Sequence, residues 1–93
     1  MKVGGWKLVE NDACKLPQKL ATGFTQVYGN RDGAGFKPLL YIAQQLVSGV
    51  NHMLICEQTL ITHPIQKSIV KVVLYENLEG TFKETEHDVI IAE

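Results

Sequence analysis

The chain is poor in the residues from which most recognisable chemistry is built. It carries two cysteines, Cys14 and Cys56, too few for a disulfide scaffold and enough for one bridge at most. Two reduced thiols, one of them buried, are the plainer expectation. The longest apolar runs, "IVKVVLY" and "LLYIA", stop far short of the ~18 residues of a membrane-spanning helix, so no membrane partner is expected. Nine basic and ten acidic residues leave a net charge of −1, with the lysines and arginine scattered singly. Without a basic patch to neutralise phosphates, nucleic acid is not an expected partner. No apolar stretch of signal-peptide length occurs in the opening "MKVGGWKLVEN". A cytoplasmic location is expected, with secretion after loss of a leader as the alternative.

Catalytic and metal-binding arrangements are missing too. His52 and Cys56 are four apart, a ligand spacing on a helix, but they fall in a strand-like segment. There they share a face and stand ~13 Å apart, too far for one zinc. The other histidine and cysteine spacings match no metal pattern, and no cofactor is expected. Cys14 precedes a helix-like segment whose dipole could lower a thiol pKa, yet no catalytic-cysteine signature surrounds it. "GNRDGAG" follows a helix and leads into a strand, the reverse of the order that aims N–H groups at phosphate. Glu84 and Glu86 sit in a charged segment and are expected to be solvated. The chain does not read as an enzyme.

What is present is an ordinary globular composition, 45% hydrophobic with 20% charge over 93 residues. That length makes a single domain, residues 1–93, able to bury somewhat over ~60% of its unfolded surface. In "LPQKLATGFTQVYGN", Leu16, Leu20, Phe24, Val27 and Tyr28 fall on one helical face. Pro17 suits the first turn, and Gly29 is expected as a left-handed cap. Gly23 costs ~1 kcal/mol relative to alanine and would let the helix sit close on a sheet.

Strand patterns follow. "FKPLLYIAQQLV" reads as one strand and "VNHMLICEQTLI" as the next, with Val50, His52, Leu54 and Cys56 on one face. "KSIVKVVLYEN" alternates Val70, Val72 and Leu74 against Lys71, "LEG" turns the chain, and "TFKETEHDVIIA" closes it. "GGWKLVE" adds a short strand at the front. One helix followed by antiparallel strands defines an α+β domain.

One stretch does not suit a solvated hairpin. In "AQQLVSGVNH", Leu46 and Val47 lie beside the Ser48-Gly49 turn, where polar residues normally face water. "QLVSG", residues 45–49, resembles the Gln-x-Val-x-Gly hairpin of the cystatin superfamily, reversible protein inhibitors of papain-like cysteine proteases. Gly4-Gly5 is similar to that family's glycine trunk, and "LEG", residues 78–80, falls where its second hairpin loop lies. Helix position, element order and length agree along essentially the whole chain. The low cysteine count and the Leu-x-Gly loop favour the intracellular, stefin-like branch.

The resemblance implies one helix gripped by a curved antiparallel sheet of four to five strands. It implies papain-like, cathepsin-type proteases as partners, blocked by a wedge of three segments. Val3, Gly4 and Gly5 would form the trunk, Gln45, Leu46, Val47, Ser48 and Gly49 the central edge, and Leu78, Glu79 and Gly80 the third contact. Glu79 stands where members carry proline or an aromatic residue, which places a charge at that contact. Family members also exchange the helix and adjoining strands between two chains, so the resemblance implies a monomer with a domain-swapped dimer as its variant. A non-inhibitory cystatin-fold module, binding another partner or itself, is the alternative function.

Overall fold

The computed structural model describes residues 5–9, 16–29 and 33–92. The elements in chain order are β1 (Lys7–Leu8), α1 (Gln18–Tyr28), β2 (Ala34–Val47), β3 (Gly49–Leu60), β4 (Gln66–Glu76) and β5 (Phe82–Ala92). Every strand pairs antiparallel with its neighbour in sequence, so the sheet order is β1-β2-β3-β4-β5. The domain is therefore α+β, one helix packed on a five-stranded open sheet, the cystatin-like arrangement expected from the sequence. Among the described residues no helix is long and apolar enough to cross a membrane.

The helix forms where the 3.6-residue spacing placed it. Leu20, Phe24 and Tyr28 are buried, and Leu16 and Val27 pack against the same core at its margin. Two details of its ends differ from expectation. Pro17 stands just outside the helix with ψ 142°, so Gln18 is the first helical residue. Gly29 is right-handed, φ −68° and ψ −21°, and is not a left-handed cap. Its N–H still reaches the Thr25 carbonyl at 2.7 Å, so the glycine prolongs the helical hydrogen bonding instead of reversing the chain. Among the described residues of this connection, Gly33 takes a positive φ, 73°.

Register explains the core. Across β3 and β4, His52 faces Leu74, Leu54 faces Val72 and Cys56 faces Val70. Leu54, Cys56, Val70, Val72 and Leu74 are fully buried beneath the helix. Each such aliphatic side chain contributes roughly 1.5–3 kcal/mol relative to exposure. Leu39 and Ile42 in β2, and Thr85 and Ile90 in β5, are extra residues at irregularities in the pairing. Bulges of this kind bend a strand and increase its twist, which curls a sheet around a single helix. Aromatic contacts close the far end of the helix, where Tyr28 stacks on Phe36 at 4.4 Å and lies 4.7 Å from Phe24.

Gly23 faces the start of β5. A Cβ there would sit 2.5 Å from Cγ and 2.6 Å from Cε1 of Phe82, inside any allowed contact. The glycine thus sets how near the helix lies to the sheet. Gly23→Ala gains helix propensity but drives a methyl into a buried ring. The net effect is a loss of about 1–2 kcal/mol, read as a lower denaturant midpoint at unchanged m.

Candidate functional site

Successive hairpins of an antiparallel meander turn at opposite ends of the sheet, so the β2–β3 and β4–β5 turns, one apart, share an end. Val50 faces Glu76, and Glu76 faces Phe82, which sets the two turns side by side. β1 pairs Lys7 with Gln44 and Leu8 with Ala43, running antiparallel to β2. Trp6 and Gly5 therefore continue beside Gln45 and Leu46 toward that same end. The described residues of all three expected segments are brought together at one tip. Val3 and Gly4, and with them Cys14, lie outside the described residues.

The central turn is tight. Val47 pairs with Gly49 across Ser48 alone. Gly49 takes φ 113°, and a Cβ at this position would overlap the Glu76 carbonyl oxygen. Only glycine fits both conditions. The Tyr75 hydroxyl donates to the Ser48 carbonyl, and the Asn51 amide donates to Gln45 Oε1 at 3.0 Å. With its backbone held this way, the turn leaves Leu46 55% and Val47 36% exposed.

The second turn is organised by Asn77. Its side-chain oxygen accepts the backbone N–H groups of Glu79 and Thr81, each at 2.9 Å. Gly80 takes φ 88° and donates its N–H to the Asn77 carbonyl at 3.0 Å. Leu78 is left 83% exposed, and Glu79 is exposed beside it. Fixed backbone with aliphatic side chains turned to solvent is common to both turns.

Behind the tip lies a polar chain that sequence reasoning did not assemble. Tyr41 Oη is 2.7 Å from His52 Nδ1, and His52 Nε2 is 2.9 Å from Glu76 Oε1. The other Glu76 oxygen lies 2.6 Å from Lys19 Nζ at the start of the helix. Residues from β2, β3, β4 and α1 thus join in one network, in which His52 and Glu76 are buried. Burial alone would raise the Glu76 carboxyl, but hydrogen bonds from Lys19 and His52, and the Lys19 charge, hold it below its ordinary value. For Tyr41, burial and then the Glu76 charge push the hydroxyl up to about 12, so it remains a hydrogen-bond donor. The Tyr41 hydroxyl donates its proton to Oε1 of Gln44 at 3.2 Å, the residue of β2 that pairs with Lys7 of β1.

Cys56 is a free, buried thiol, pushed up to about 12 by burial and then by the Glu84 charge. Glu86 is exposed as expected, but Glu84 is not simply solvated. It accepts from the Tyr28 hydroxyl at 2.7 Å and lies 2.9 Å from His87 Nδ1, because the helix end descends onto β5 at that point.

Comparison of the chain with models of known families, with curated proteins and with solved structures finds no match.

The network carries a pH dependence of definite sign. A carboxyl whose folded pKa is depressed adds stability above its unfolded value and loses it as pH falls through the folded value. The Glu76 contribution is therefore complete above about pH 5 and declines in more acid solution. Glu76→Gln should lower stability at pH 7 and reduce the further loss between pH 5 and pH 3, measured by urea unfolding at each pH. A variant with the parent's pH profile would remove Glu76 from this role.

Proposed function

We propose that this protein is a reversible, noncovalent inhibitor of papain-like cysteine proteases of the cathepsin type, and that its tip is the inhibitory wedge. The observation that carries the reading is the convergence of three segments at one end of the sheet. The trunk at Gly5, the "QLVSG" turn and the "LEG" turn arrive there from separate parts of the chain. The two turns contribute exposed aliphatics, Leu46, Val47 and Leu78, to the rim of that end. Exposed aliphatics at rigid turns are a hazard unless a partner covers them.

The chemistry of the rim supports a plug. The turns would enter the cleft as folded hairpins and offer no extended peptide to the catalytic thiol, so occlusion is steric. Their conformations are fixed in advance by Gly49, Gly80, Tyr75 and Asn77, which limits the ordering entropy lost on binding. A Cβ on Gly5 would meet nothing within 4 Å, so no contact among the described residues requires glycine there. A glycine is then free to serve close passage along a partner's surface. Glu79 would stay at the hydrated edge of the interface, where a charge affects association rate and partner choice more than affinity. An interface of standard size, ~1,600 Å² in total, suits a wedge of these three segments.

The test is titration of active papain with the purified protein, following cleavage of a fluorogenic dipeptide substrate. Stoichiometric inhibition at nanomolar concentration is expected. Leu46→Asp and Val47→Asp should each weaken inhibition at least tenfold while keeping the parent's unfolding midpoint, since both side chains project from the core. Gly49 is a poor probe, because any substitution there strains the turn whatever the partner. No inhibition at micromolar protein, or full inhibition by both aspartate variants, would overturn the reading.

A further inference from the structure

The last strand, β5, has nothing paired to its outer edge among the described residues. That edge is guarded unevenly. Its first half carries Lys83, Glu84, Glu86 and Asp88, the kind of charge with which proteins blunt an open edge. Its second half reads Val89-Ile90-Ile91, and these aliphatics are 57%, 53% and 60% exposed. Ile61 and Ile65, in the β3–β4 connection at this end of the sheet, are likewise exposed. A hollow of about 330 Å³ lies beside Ile91, with Ile69 in its lining and Glu57 and Lys67 supplying opposite charges. All of this is at the end of the sheet remote from the tip.

Register shows what would complete the edge. On the face turned away from the helix, Glu57, Ile69 and Ile91 form one cross-strand row. The next row is Ile55, Lys71 and Asp88, and the third is Met53, Val73 and Glu86. A sixth strand would extend the first row with a residue opposite Ile91, best matched by an aliphatic side chain. It would extend the other two with residues opposite Asp88 and Glu86, best matched by lysine or arginine. Lys71 approaches Asp88 at 3.4 Å and Glu86 at 3.6 Å, so one ammonium faces two carboxylates and a negative charge remains.

We propose that the outer edge of β5 docks an extended segment of a partner protein, aliphatic opposite Val89 and Ile91 and basic opposite Asp88 and Glu86. The segment runs antiparallel, in keeping with the rest of the sheet and with the firmer antiparallel ladder. Ile90, the extra residue of the bulge, is left out of the pairing. In the registers that keep Asp88 and Glu86 within the ladder, a second copy of the chain fits poorly. Two-fold antiparallel pairing of β5 about Glu86, His87 or Asp88 sets Glu86 on Glu86, Glu86 on Asp88, or Asp88 on Asp88. Like charges placed directly opposite destabilise such a ladder. Because the edge is remote from the tip, both surfaces can be filled at once, and this site does not depend on what the tip binds.

The test uses the full chain and a fluorescein-labelled peptide reading Thr-Ile-Val-Lys-Thr-Lys, followed by anisotropy. Saturable binding at micromolar concentration is expected. It should weaken at least tenfold when both lysines of the peptide become glutamate. Ile91→Lys should cause a similar loss at an unchanged unfolding midpoint, whereas Leu46→Asp should bind like the parent. Absence of saturable binding, equal binding of the two peptides, or loss of binding in Leu46→Asp would overturn the proposal. So would a dimer in sedimentation that Ile91→Lys abolishes, since the occupant would then be a second copy.

Discussion

Much of the molecule's order depends on one buried carboxylate. Glu76 closes β4, and both its side-chain oxygens are engaged, one by His52 from β3 and the other by Lys19 from the helix. Its backbone carbonyl presses on Gly49 from the adjoining turn. A carboxylate this deep is tolerable only when paired, because stripping it of water without partners costs several kcal/mol. The pairing therefore does more than neutralise charge. It fixes the first turn of the helix against the end of the sheet, and it fixes β3 against β4 just where both reverse direction. Because Lys19 is largely exposed, its half of the interaction is softened by solvent, and the firmer link is the one to His52.

From that anchor the two ends of the domain acquire different characters. Near Glu76 the backbone is pinned by glycines with positive φ, by the Tyr75 hydroxyl and by the Asn77 side chain. Apolar side chains there project from a rigid support. At the opposite end the helix has run out, and cover is supplied by side chains alone. His87 lies 2.7 Å from Gln58 Oε1 and meets the Phe36 ring edge-on at 5.7 Å. Beyond them the aliphatics of β5 face solvent. An eleven-residue helix, roughly 16 Å long, cannot span strands that reach fourteen residues, roughly 46 Å. The exposure of Val89, on the helix face of β5 opposite the buried Val70, is the remainder of that mismatch.

The sequence disclosed those features that depend on local periodicity. Alternation in β3 and β4 placed Leu54, Cys56, Val70, Val72 and Leu74 inside, and helical spacing placed Leu20, Phe24 and Tyr28 over them. Gly23 was readable as a close approach, although not its partner Phe82. Glycine alone could not tell a left-handed cap from a right-handed continuation at Gly29, since both suit a residue without a side chain. The grouping of the two turns at one tip was implied only by the resemblance; the fold places them side by side because alternate turns of a meander share an end. The Tyr41–His52–Glu76–Lys19 chain was not legible. Its members are isolated polar residues in four separate elements, and only the folded register brings them within hydrogen-bond distance. The bulges of β2 and β5 escaped notice for a related reason, since an extra residue in a strand leaves no compositional mark.

The depth of Cys56 has a consequence for the study of the fold itself. Its thiol is held between the sheet and the helix in a setting that suppresses the thiolate, the form that reacts with alkylating and oxidising agents. Modification at this sulfur must therefore wait for the centre of β3 and β4 to part. The side chain is a built-in clock for opening of the core, and its labelling rate reports how often the innermost layer of the protein comes apart while the population as a whole stays folded.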